Sequence, residues 1–77
     1  MNRATADKIK LRGETAIREL VSILQVDKIQ VDCTQEEIEV IKRTIGLTIG
    51  IIDTELLLVA YRQFPELDPI KRTNESI

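Results

Sequence analysis

The fold of this 77-residue chain is decided by residues 34–64, which read TQEEIEVIKRTIGLTIGIIDTELLLVAYRQF. Apolar side chains recur there every three or four residues, which is the spacing of one face of an α-helix. They are Ile38, Ile41, Ile45, Ile49, Ile52, Leu56 and Val59. A helix through the whole stretch would hold about 30 residues and measure about 45 Å. The pattern predicts one long helix.

Both ends of this helix carry recognisable signals. Thr34 and Glu37 fit a capping box, in which the Thr34 hydroxyl accepts from the Glu37 amide and the Glu37 carboxylate accepts from the Thr34 amide. Pro65 ends the helix because proline cannot donate a backbone hydrogen bond and disfavours helix in the residue before it. Gly46 and Gly50 lie inside the stretch, so the helix either continues through both or turns at one of them.

A second row of aliphatic side chains lies on the opposite side of the same helix. Its members are Val40, Leu47, Ile51 and Leu58. Burying four such side chains stabilises a fold by roughly 6–12 kcal/mol, as much as the net stability of a typical domain. A single short helix cannot cover both rows, so we expect a second copy of the chain to cover this one. These four residues are the predicted oligomer interface.

Residues 4–25 predict a shorter, amphipathic first helix. Its apolar arc consists of Ala6, Ile9, Gly13, Ala16, Ile17, Leu20, Ile23 and Leu24, and the small size of Gly13 would allow another helix to cross closely. The sequence therefore predicts an all-α fold, a helical hairpin that assembles as a homodimeric helical bundle. Residues 1–70 would form a single helical domain, and residues 71–77 a flexible tail.

The composition excludes several classes of enzyme. The chain is 43% hydrophobic and 31% charged, has no histidine and has one cysteine, Cys33. A zinc finger, an internal disulfide and any histidine-dependent catalytic arrangement are therefore excluded. No phosphate-binding loop or nucleophile motif occurs. We expect no catalysis, no metal and no cofactor.

The charges are unevenly distributed along the chain. The net charge is −2, but residues 1–25 carry five bases against three acids, and residues 26–70 carry four bases against nine acids. Lys8, Lys10 and Arg12 form a possible basic patch for a protein partner, and residues 64–67 are a second candidate. The favoured function is an interaction module: an adaptor, an inhibitor or a regulatory subunit whose partner the sequence does not identify.

An alternative function rests on residues 26–33, which break the helical period. Ile29, Val31 and Cys33 alternate with polar residues, as in a short strand or an extended connector. With a helix at 35–49, a turn at Gly50 and a second helix to Phe64, the segment resembles the ribbon-helix-helix family of repressors and antitoxins. The resemblance implies that strands 28–33 of two chains pair and enter the major groove of DNA, with Lys28 and Gln30 facing bases.

The longest apolar run, Ile45 to Tyr61, is 17 residues long and holds Asp53 and Glu55 near its middle. A membrane span needs about 20 residues, and each central carboxylate costs roughly 2.5–3.5 kcal/mol on insertion. We therefore expect no membrane insertion. The polar N-terminus is not followed by the apolar region of a secretory signal, so a cytoplasmic location is expected.

Overall fold

A computed structural model describes residues 1–70 of the chain, and every regular element in that part is helical. The prediction of an all-α fold with two long helices is confirmed. The predicted flexible tail, residues 71–77, lies outside the described residues. The elements are α1 (Arg3–Ser22), a 3₁₀ turn (Ile23–Gln25), α2 (Ile29–Asp32), α3 (Gln35–Ile51), a π-helical turn (Ile52–Leu56), α4 (Leu57–Gln63) and a second 3₁₀ turn (Pro65–Leu67).

The long helix is continuous. Helix α3, the π-helical turn and α4 follow one another without a break over 29 residues, Gln35–Gln63. The capping box is confirmed: the Glu37 N–H donates to Thr34 Oγ1 at 3.1 Å, and the Thr34 N–H donates to Glu37 Oε1 at 2.7 Å. The helix passes through Gly46 and Gly50, so the turn that the ribbon-helix-helix alternative places at Gly50 is wrong.

The π-helical turn shifts the inner face of the long helix. Within it the Leu57 N–H donates to the Ile52 carbonyl, five residues earlier, so the turn holds one residue more than an α-helical turn. Leu57 is therefore buried, together with Ala60 and Tyr61. Leu56 and Val59 are exposed. The sequence pattern predicted Leu56 and Val59 in the same apolar row as Ile45. That prediction was wrong because it continued the α-helical spacing through the π-helical turn.

Helix α1 packs on the C-terminal half of the long helix: Arg3 near its start donates to Glu66, and Gly13 in its middle lies against Leu57. The core cluster consists of Ala6, Leu57, Ala60, Tyr61 and Leu67. A Cβ atom at Gly13 would overlap Leu57 Cδ2 and would lie 3.1 Å from Leu57 Cγ. The close crossing predicted at Gly13 is therefore confirmed, and it brings the backbone of α1 directly against α4.

The segment after the long helix folds back on the start of α1. Arg3 donates to the carboxylates of Asp7 and Glu66, and its guanidinium carbon lies 5.7 Å from the centre of the Phe64 ring. Leu67 belongs to the core. Residues 64–67, the second candidate for contact with a partner, pack against the first helix with Leu67 buried and Glu66 exposed; their contact with a partner stays a prediction.

The strand predicted in residues 28–33 is wrong. Lys28 has a left-handed backbone conformation (φ 65°) and precedes the short helix α2. Ile29 and Cys33 are four residues apart, so they share one side of a helical turn and are half-buried, whereas Val31 is exposed. Residues 1–70 contain no strand. Lys28 and Gln30 are exposed, but not on the extended backbone that the ribbon-helix-helix resemblance implies.

The two long helices lie side by side in a single layer. The molecule measures 46 × 26 × 15 Å, and one helix with its side chains is about 10–12 Å across. Domains usually bury their apolar faces between two layers of secondary structure. One side of the long helix is covered by α1, and its other side has no second layer above it.

Candidate interaction surface

A row of exposed aliphatic side chains follows the uncovered side of the long helix. We call it the outer stripe; it consists of Val40, Leu47, Ile51 and Val59. Three of the four residues predicted as the oligomer interface belong to it: Val40, Leu47 and Ile51. Leu58, the fourth, packs against the core cluster instead. The π-helical turn accounts for this difference, because the extra residue turns Leu58 toward the core and brings Val59 into line with Ile51.

The outer stripe is open to solvent within the single chain. Leu47 is 64% exposed and Ile51 is 62% exposed, whereas Leu57 on the inner face is 2% exposed. The long helix thus has one face buried against α1 and one large apolar face with no cover among residues 1–70. An exposed apolar surface of this kind typically marks a site of contact with another molecule.

An open groove of about 350 Å³ runs between α1 and the π-helical turn. We call it the basic groove, because Lys8 and Arg12 line it together with apolar and small side chains. The full lining is Thr5, Lys8, Ile9, Arg12, Gly13, Ala16 and Leu56. Of the predicted basic patch, Lys8 and Arg12 therefore lie together. Lys10 is absent from the lining because residues two positions apart point to different sides of a helix.

A second groove of about 280 Å³ lies at the opposite end of the same helix pair. It is lined by Leu20, Ile23, Val40, Ile41, Thr44, Ile45 and Thr48. A wider depression of about 560 Å³ at the start of α3 shares Val40 and Ile41 with it. On α1, Ile9, Ala16 and Leu20 follow helical spacing, and Ile23 comes next in the 3₁₀ turn. The second groove therefore lies in line with the basic groove. Val40 lines the groove and belongs to the outer stripe, so these surfaces adjoin.

Charged side chains are arranged unequally along the long helix. Glu36, Glu37 and Glu39 lie in its first two turns, and Arg62 lies in its last turn. Between them, Arg43 and Glu55 are exposed. Within residues 1–70 the ion pairs are those of Arg3 with Asp7 and Glu66. The charges of Arg43, Glu55 and Arg62 are therefore available to a second molecule.

A metal site and a membrane span are two other kinds of functional feature. Residues 1–70 contain no group of three or more histidine, cysteine, aspartate or glutamate side chains that could hold a metal ion. By length and composition alone, the helix Gln35–Gln63 is long and apolar enough to cross a membrane. Asp53 and Glu55 lie in its second half, and Glu55 is exposed.

Sequence reasoning missed Val59 and the apolar lining of the grooves. The run from Leu56 to Ala60 is apolar at every position, so it fits either register of the helix and gives no signal for the shift. The chain matches no known protein family, no curated protein and no solved structure in the comparisons made. Functional inference therefore rests on the geometry of the outer stripe and the grooves.

Proposed function

We propose that this chain is a small helical protein-interaction module that works as a homodimeric helical bundle, without catalysis of its own. The observation that carries the proposal is the outer stripe, a large apolar face of the long helix that α1 leaves uncovered. In this role the dimer would serve as an adaptor, an inhibitor or a regulatory subunit for a further protein.

The size of the uncovered face supports self-association. A stable interface buries about 800 Å² on each partner, and the molecule extends 46 × 26 Å along its two longest axes, which leaves room for a contact of that size along the outer stripe. The stripe side chains are 48–64% exposed, so covering each of them contributes roughly 0.7–2 kcal/mol. Two helical hairpins stacked through this face give a four-helix bundle, whose two layers enclose the apolar side chains. A two-fold axis lets one surface cover its own copy.

The acidic residues of the long helix favour a protein, rather than a lipid bilayer, as the partner that covers the outer stripe. Asp53 and Glu55 lie within the apolar part of the helix, and each carboxylate costs roughly 2.5–3.5 kcal/mol in the centre of a membrane. At the edge of a protein interface, in contrast, a carboxylate stays hydrated or meets a basic side chain.

The proposal is tested by comparing the substitutions Leu47→Glu and Leu11→Glu. Leu47 lies in the outer stripe and is 64% exposed; Leu11 lies on the solvent side of α1, outside the grooves, and is 59% exposed. Both substitutions place a carboxylate at a leucine of similar exposure. Sedimentation equilibrium should give twice the 8.8 kDa chain mass for the wild type and for Leu11→Glu. Leu47→Glu should give a mass close to that of one chain, with its helical circular dichroism retained.

Two results would contradict the proposal. Equal masses for both variants would show that the outer stripe is not an interface between copies. Co-sedimentation of the wild-type chain with phosphatidylcholine vesicles, abolished by Leu47→Glu, would assign the stripe to a membrane.

A further inference from the structure

We infer that the two copies pack their long helices antiparallel, centred close to Ile49, so that the acidic start of each helix lies near the basic groove of the other. This inference rests on the proposed homodimer and gives it an orientation and a register. Three features support it: the spacing of the outer stripe, the position of the basic groove, and the charges on the long helix that have no partner within residues 1–70.

The spacing of the outer stripe fits a two-fold axis near Ile49. Leu47 lies two positions before Ile49 and Ile51 two positions after it; Val40 lies nine before and Val59 ten after. An antiparallel pair centred there sets Leu47 against Ile51 and Val40 against Val59, twice each. The stripe of one copy then covers the stripe of the other along its whole length, as a two-fold interface requires.

The charges at the ends of the long helix favour the antiparallel orientation over the parallel one. A parallel pair would place Glu36, Glu37 and Glu39 of both copies at the same end, and such a like-charge arrangement opposes association. An antiparallel pair brings this acidic end to Arg62 of the other copy. The basic groove lies at that end too, because the crossing of Gly13 with Leu57 sets Lys8 and Arg12 beside α4.

Two charges nearer the middle of the long helix fit the same register. Arg43 lies six positions before Ile49 and Glu55 six positions after it. In the antiparallel pair each Arg43 comes opposite Glu55 of the other copy, so the two unpaired charges complement each other across the axis. Glu55 lies four positions after Ile51 and four before Val59, in line with the outer stripe, and complementary charges across an interface fix the register of the two surfaces.

Cys33 makes the orientation measurable in the unaltered chain. It is the single cysteine, it is free and partly exposed, and it lies 16 positions before Ile49. At a rise of 1.5 Å per residue, the antiparallel pair separates the two Cys33 residues by about 50 Å, whereas a parallel pair brings them to roughly the 8–10 Å between helix axes. Nitroxide labels on Cys33, measured by pulsed electron–electron double resonance, should give a distance of about 50 Å. A distribution centred near the parallel value would overturn the inference.

A mixing experiment provides an independent readout. Gln63 is exposed and lies 14 positions after Ile49, so in the antiparallel pair it comes beside Cys33 of the other copy. Wild-type chain mixed with the variant Cys33→Ser/Gln63→Cys should form a disulfide between the two kinds of chain under mild oxidation. Neither chain alone should crosslink. Efficient crosslinking of the wild-type chain with itself would contradict the antiparallel orientation.

The two proposals fail in distinguishable ways. A single-chain mass in sedimentation would refute the homodimer and the orientation together. A double-chain mass with a short distance between the Cys33 labels would leave the homodimer standing and refute the orientation alone.

Discussion

Gly13 determines how closely α1 can approach the long helix. Its neighbour Leu57 is 2% exposed, and a Cβ atom at Gly13 would overlap Leu57 Cδ2 and lie 3.1 Å from Leu57 Cγ. Glycine costs about 1 kcal/mol relative to alanine within a helix, and this cost is offset because the close crossing buries Leu57. At Gly46 and Gly50 a Cβ would meet no atom of residues 1–70 within 4 Å outside the neighbouring part of the helix, so neither glycine allows a close crossing within the described residues.

The contrast predicts opposite effects of the same substitution. Gly13→Ala should lower the free energy of unfolding by about 1–3 kcal/mol, because the added methyl group overlaps the buried Leu57 side chain, which must shift to admit it. Gly46→Ala should raise it by about 1 kcal/mol through helix propensity. Urea unfolding at one fixed chain concentration measures both. Stabilisation by Gly13→Ala would show that α1 does not cross the long helix at Leu57.

Thr34 is the residue that fixes the start of the long helix. Thr34→Ala should lower the free energy of unfolding by about 0.5–2 kcal/mol, since the Glu37 N–H loses its acceptor and the capping box is broken. Thr15→Ala, at an exposed position within α1, is the matched control and should change stability by no more than about 0.5 kcal/mol. An equal effect of the two substitutions would place the start of the helix elsewhere.

The sequence predicted the ends of the long helix, but it did not predict the π-helical turn or the change of register that follows it. The ends of the long helix were predictable because Thr34, Glu37 and Pro65 act through local hydrogen bonding. The register of its second half was not, because Leu56 to Ala60 are all apolar and the choice among them depends on packing against Gly13. The strand was wrongly predicted because alternation over only five residues, from Ile29 to Cys33, also fits one turn of helix.

Deleting one residue tests the role of the π-helical turn. Thr54 and Thr48 each donate the hydroxyl to the carbonyl four residues earlier, Gly50 and Thr44. Deletion of Thr54 removes the extra residue of the π-helical turn, so the long helix should become a regular α-helix in which Leu57 stays in the core. The melting temperature should therefore not fall. Deletion of Thr48 leaves the π-helical turn in place and rotates the two halves of the helix against each other. It should cost at least about 3 kcal/mol, because buried side chains leave the core.

Thermal melts followed by circular dichroism distinguish the two deletions. If deletion of Thr54 destabilised the fold as strongly as deletion of Thr48, the π-helical turn would not be the cause of the shifted inner face.

For the whole molecule, the central feature is a single layer of helices with one apolar face uncovered. Val40, Leu47 and Ile51 were predictable as members of that face, since their spacing is a property of one helix. The grooves were not, because their walls come from two helices whose relative position is set by the Gly13 crossing and by the return of residues 64–67 onto α1. Under the proposed homodimer, a second copy of the chain would cover this face.

Folding of the single layer should therefore be coupled to its association. If the second layer is another copy, a tenfold rise in chain concentration adds about 1.4 kcal/mol to dimer stability, which corresponds to about 3–6 °C in Tm for a dimer of this size. Leu11→Glu should keep this dependence, and Leu47→Glu should lose it. Melting curves at several concentrations measure the effect.

The most direct test is the molar mass of the unaltered chain at micromolar concentration, measured by sedimentation equilibrium. We predict twice the chain mass of 8.8 kDa, because the outer stripe is not covered by residues 1–70 of its own chain. A mass of one chain, maintained up to millimolar concentration with the helix content unchanged, would contradict the account.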